Sequence, residues 1–232
     1  MAEIKPQGVV TIKQYGKVDL VICIDTTGSM TTAIATVQAN IANHLIGGLK
    51  GQMARNQSPL DWRAKVIGYG DLNIGEAVFE SAFTNNETEL TNTVMNIPRT
   101  GGGDEPESSL DAMMIAAKSS WRTDGAAHRI VILFTDASPH PEMHANTVPS
   151  GPRDVDELIS QLTAQRVKLF VYAPQNATYE RLRLLPKSQV TLLPPGKIHE
   201  GLQKLVDFSK EFEQMAKTIS GEMLNTPGLA SV

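Results

Sequence analysis

Val18-Asp19-Leu20-Val21-Ile22-Cys23-Ile24-Asp25-Thr26-Thr27-Gly28-Ser29-Met30 sets the architecture of this chain. A nearly unbroken apolar run ends in an acid, two hydroxyl residues, a glycine and a third hydroxyl residue. Such a run reads as a strand buried on both faces, as inside a parallel sheet. The residues after it read as a tight turn into a helix. Open α/β sheets place their ligands at the carboxyl ends of central strands. Asp25, Thr27 and Ser29 fall at that edge and offer three hard oxygen donors, a set suited to a small divalent cation such as Mg²⁺. The same residue types also cap helices without any metal, and this segment alone does not decide between the two.

Outward from this strand the pattern repeats. Ile34, Val37, Ile41 and Leu45 recur at helical spacing before Gly47-Gly48. Residues 63–69 alternate as a strand ending at Gly70-Asp71, residues 77–83 read as a short edge strand, and residues 87–96 as a short helix. The loop Thr100-Gly101-Gly102-Gly103-Asp104-Glu105-Pro106-Glu107 runs into a helix carrying Leu110, Met113, Met114 and Ala117, with Pro106 expected near its first turn. Ile130-Val131-Ile132-Leu133-Phe134 is a second buried strand, again ending in an acid, Asp136. Val155, Leu158, Ile159 and Leu162 line one helix face; residues 167–173 and 189–193 are strands flanking a helical piece at 179–185. Ile198 to Ile219 marks a closing helix, and the tail from Leu224 reads as frayed. Strands alternating with helices imply a mainly parallel sheet covered on both faces.

The 232 residues fit one large α/β domain. At 41% hydrophobic residues the chain can build a substantial core, and with only 5% aromatics that core must be aliphatic and Met-rich. A net charge of −4 gives no electrostatic footprint for nucleic acid or an anionic membrane. The single cysteine, Cys23, cannot form an internal disulfide and reads as a small buried hydrophobe. The first residues lack the apolar core of a signal peptide, and no run approaches the roughly 20 apolar residues of a membrane helix. The expectation is a cytoplasmic, monomeric protein.

Three segments point to one sheet edge: Asp25-x-Thr27-x-Ser29, the 101–107 loop and Thr135-Asp136. Together they resemble a von Willebrand factor A (vWA) domain with a metal-ion-dependent adhesion site, whose first motif is D-x-[ST]-x-S. The second motif is ordinarily a Thr. Here the loop looks like that of integrin β-subunit I-like domains and bacterial vWA proteins, in which the Glu after Asp-x-Pro is a ligand, and Glu107 matches it. Asp136, ending a buried strand, matches the third motif. The resemblance spans about residues 15 to 220 and implies a single domain across 1–232, with 224–232 as tail. It implies a doubly wound, mainly parallel six-stranded sheet of order 3-2-1-4-5-6 with helices on both faces and an antiparallel edge strand. It further implies that Thr27, Ser29 and Glu107 bind Mg²⁺ or Mn²⁺ directly, with Asp25 and Asp136 acting through water. In integrin β-like relatives a residue matching Asp104 helps hold an adjacent cation, so a flanking Ca²⁺ is an expectation; Asp104 as a simple helix cap is the alternative. Asp71 and His140 stand at the same rim as candidate partner contacts, although a strand-end Asp is often a turn residue and a loop His is often merely exposed.

Several enzyme classes lack their residues. Thr27 stands where a haloacid-dehalogenase-type phosphatase needs its second Asp. The chain has no G-x-x-x-x-G-K-[ST], no G-x-G-x-x-G after the first strand and no G-x-S-x-G. His140 to His144 lacks the helix and Glu of a zinc protease. The resemblance implies a non-enzymatic module that takes a partner's Asp or Glu carboxylate on the metal, as an adaptor in an ATPase or kinase/phosphatase system. A scaffold whose metal meets no partner, and a metal-dependent hydrolase, are the alternatives.

Overall fold

The computed structural model describes residues 16–31, 60–101, 105–123 and 127–194, with isolated positions between 34 and 54. Asp104, Gly102, Gly103, the expected helices at 34–45 and 198–219 and the tail from 224 lie outside the described residues, apart from single positions such as Ile34 and Gly47.

Six strands form one sheet: β1 (Gly16–Asp25), β2 (Leu60–Tyr69), β3 (Phe79–Glu80), β4 (Ala127–Phe134), β5 (Lys168–Pro174) and β6 (Gln189–Leu193). Their spatial order is β3-β2-β1-β4-β5-β6. All pairings are parallel except β2 with β3, where Ile67 faces Glu80 and Gly68 faces Phe79. The expected order and the antiparallel edge are both present, although only two of the residues expected at that edge are paired. The described helices are α1 (Glu87–Met95), α2 (Ser109–Ala117), α3 (Val155–Ala164) and α4 (Ala177–Arg181). Asn86, Asp154 and Asn176 cap α1, α3 and α4 by accepting from backbone N–H groups in the first turn.

The two apolar runs explain the layers. Side chains alternate across a strand, so Val18, Leu20, Ile22 and Ile24 join Ile130, Ile132 and Phe134 in one core, together with Leu90 and Val94 of α1 and with Met30 and Ile34. Val21 and Cys23 point the other way, with Val131 and Leu133, into a core built by α2, α3 and α4. The Cys23 Sγ–H donates to the Ala112 carbonyl at 3.6 Å, and burial pushes the thiol up to about 12. Asp19 is the exception on β1. It is buried at the end opposite the candidate site, where Arg63 grips it with two hydrogen bonds and Arg122 donates its backbone N–H.

Because β1 and β4 are neighbours, Asp25 and Asp136 emerge side by side. The two-faced core is the foundation of that edge. Ile132 is fully buried, so Ile132→Ala should cost about 2–5 kcal/mol, read as a lower denaturant midpoint at unchanged slope.

Candidate metal centre

Asp25 ends β1 and organises the turn that follows. One oxygen, Oδ1, accepts the Thr27 backbone N–H at 3.0 Å and the Thr27 hydroxyl at 2.6 Å. The other, Oδ2, accepts the Thr135 hydroxyl at 2.8 Å, joining the ends of β1 and β4. Gly28–Met30 then forms one 3₁₀ turn, which lifts Ser29 beside Thr27, their hydroxyl oxygens 3.1 Å apart. Ser29 donates to Asp136 Oδ1 at 3.0 Å. Each hydroxyl is thus backed by a carboxylate, so its lone pairs remain available for a ligand on the other side. Thr27 accepts no side-chain capping role in this turn, so these residues are arranged differently from a simple helix cap.

Glu107 reaches the same edge by a route that helix-start reasoning misses. Pro106 does not sit in the first turn of α2; it follows a cis bond to Glu105, and the helix begins at Ser109. The reason is that the intervening backbone is already paired. Glu107 N–H donates to the Ser138 carbonyl, His140 N–H donates to the Glu107 carbonyl, and Ser108 N–H donates to the Gly70 carbonyl. Glu107 therefore lies in a short parallel bridge against Pro139. Beneath it, Tyr179 donates to the Ala137 carbonyl at 3.0 Å and accepts from Ser109 at 2.8 Å.

The two rim candidates meet each other. His140 Nε2 lies 2.8 Å from Asp71 Oδ1, and Asp71 also accepts the Asn73 N–H as the cap of a 3₁₀ turn. His140 is thus turned toward Asp71 and is only partly exposed. Glu76, which sequence reasoning passed over, accepts the Asp71 N–H at 2.8 Å. It fits there because residue 70 is glycine: a Cβ at Gly70 would stand 2.0 Å from Glu76 Oε2. Thr135 marks the same edge in the sequence beside Asp136, and its role, donating to Asp25 Oδ2, emerges only from the fold.

A model of the von Willebrand factor A domain matches residues 19–227. The chain belongs to the von Willebrand factor A domain family. Among solved structures, the vWA chain resembles the pilus adhesin SpaC from Lactobacillus rhamnosus GG in its open conformation. The TM-score is 0.55 at 13% identity over 90% of this chain. That likeness is one of fold, and the match spans 30% of the adhesin's length. No curated protein matches.

The vWA site is strongly acidic. Burial, reinforced by the charges of Asp25, Asp71, Glu76 and Asp136, raises the Glu107 carboxyl from 4.5 to about 8. Burial likewise lifts Asp25 to about 6, against the opposing hydrogen bonds from Thr27 and Thr135. Glu107 Oε2 is buried without a hydrogen-bond partner, a costly state for a carboxylate oxygen unless something else meets it. Among the described residues no three acids, histidines or cysteines form a metal cage by themselves, so any ion here would depend on the hydroxyls. Their spacing suits that role. Mg²⁺–oxygen distances of about 2.1 Å put neighbouring ligands of an octahedron roughly 3 Å apart, and Thr27 and Ser29 stand 3.1 Å apart. Thr27, Ser29 and Glu107 could hold such an ion, with Asp25 and Asp136 behind the hydroxyls.

The raised carboxyls fix a pH dependence for the metal-free protein. The folded state retains protons that the unfolded state releases from about pH 4 upward, so the stability these two groups contribute is greatest below about pH 4. It falls as pH rises through about 6 and about 8, then levels off. Thermal melts in chelator between pH 5 and 9 should show this decline, and Glu107→Gln should flatten its upper part.

Proposed function

We propose that this vWA domain is a metal-dependent protein-binding module, a cytoplasmic adaptor that takes a partner's Asp or Glu carboxylate through Mg²⁺, with Mn²⁺ as a substitute. The observation that carries the reading is the buried, unpartnered Glu107 Oε2 at the same edge as two hydroxyls set 3.1 Å apart and backed by carboxylates. Mg²⁺ prefers six oxygen ligands and retains exchangeable water. Three protein ligands leave positions that a partner carboxylate can enter. A second cation held by Asp104, Ca²⁺ by preference, belongs to the same reading. The role in this reading is binding rather than catalysis: Thr27 and Ser29, each donating to a carboxylate, serve as metal ligands.

Glu107 reduces the net positive charge of the loaded site relative to the family's usual Thr. The metal contact alone then attracts an anion only modestly, and the rim must supply much of the discrimination. A cleft of about 440 Å³ beside the site, lined by Asn73, His140, Met143, His144 and Arg153 among others, offers that contact. Glu142 and Arg153 pair at 2.8 Å, which leaves its charged groups mutually neutralised. A component of an ATPase or kinase/phosphatase system is the kind of partner this reading favours.

Calorimetry tests the metal step. Mg²⁺ or Mn²⁺ should bind wild type at one principal site, and Asp25→Ala and Glu107→Ala should each lose most of that affinity. At free metal 100 times the dissociation constant the fold gains about 2.7 kcal/mol. Chelator should therefore lower the melting temperature while leaving a cooperative transition. Pull-downs with Mg²⁺ or with chelator test the partner step. A native partner retained equally in chelator would favour the scaffold reading over the metal-bridged one.

A further inference from the structure

The Glu107–Ser108 segment is gripped from two sides by loops distant in sequence. On one side lie Ser138 and His140, which exchange hydrogen bonds with both backbone groups of Glu107. On the other lies the 70–73 turn. Its Gly70 carbonyl accepts the Ser108 N–H at 3.1 Å, and its Leu72 N–H donates to the Ser108 hydroxyl at 3.0 Å. The two loops are joined directly by the side chains of His140 and Asp71, 2.8 Å apart. Asp71, Glu107 and Ser108 are all nearly inaccessible to water. The loop carrying His140 is anchored farther along as well, where His144 N–H donates to the buried Asp111 carboxylate at 2.8 Å.

We propose that the Asp71–His140 pair is a positioning device for Glu107. It closes a ring of hydrogen bonds around the segment that presents the carboxylate, so metal affinity depends on an imidazole and an acid that are not themselves ligands. The proposal rests on Glu107 being a metal ligand, as argued above. Removing groups that orient metal ligands from behind typically costs 10–100-fold in affinity, and the same scale is expected here.

The test uses Mn²⁺ alone, titrated calorimetrically and by the paramagnetic resonance signal of free Mn²⁺. His140→Gln places an amide N–H close to where Nε2 stands, whereas His140→Asn places its amide nearer Nδ1 and short of Asp71. The pair is matched in polarity and differs in reach. His140→Asn and Asp71→Ala should each weaken Mn²⁺ at least tenfold. The double variant should be no worse than the weaker single one, because both remove one connection. His140→Gln should stay within about threefold of wild type. Melting temperatures in chelator should be alike for His140→Gln and His140→Asn, which separates positioning from general destabilisation. Wild-type affinity in His140→Asn, or losses that multiply in the double variant, would overturn the device and leave the metal site standing. A wild type that binds no Mn²⁺ would overturn both.

Discussion

The ends of β1 and β4 are held together by one carboxylate. Asp25 accepts from Thr27 twice and from Thr135 once, so a single buried acid sets the turn after β1 and ties it to the neighbouring strand. Everything that faces outward at this edge is referenced to that fan of hydrogen bonds. Ser29 is placed by the 3₁₀ turn that Thr27 starts, and Asp136 is placed by the strand whose last hydroxyl Asp25 holds. The arrangement comes with an electrostatic cost. Four acids, Asp25, Asp71, Glu76 and Asp136, gather around Glu107, and burial keeps water from screening them. A site built this way favours either protons or a cation, and the choice is governed by conditions rather than by the fold.

Much of the sheet was legible because its signal is local. Two apolar runs ending in acids, Val18 to Asp25 and Ile130 to Asp136, can hardly be other than buried parallel strands, and their acids must then meet at one edge. Family resemblance supplied the strand order. The edge strand was harder, since its ladder with β2 holds just Phe79 and Glu80, followed by an isolated bridge from Thr84 to Ala64, and so short a ladder leaves almost no periodic trace. The start of α2 was misplaced for a different reason. Pro106 is a good first-turn residue by local rules, yet the backbone at 107 and 108 finds its partners at Ser138, His140 and Gly70, about thirty or more positions away.

The candidate site divides along the same line. Asp25, Thr27, Ser29 and Asp136 follow directly from strands and the turn between them. The roles of Asp71, Glu76 and His140 depend on which loops meet, which no window of sequence contains. Even the glycine at 70 carries a message that only three dimensions decode, because the volume it leaves empty is filled by Glu76.

Cys23 adds a practical consequence. It lies near the carboxyl end of the central strand, fully buried, with its thiol held far from ionisation. A thiolate is the reactive form, so alkylating reagents cannot modify this side chain while β1 remains in the sheet. Being the single cysteine of the chain, it serves as a built-in clock. The rate at which a reagent labels it reports how often the central strand opens to water, free of contributions from fraying at the periphery.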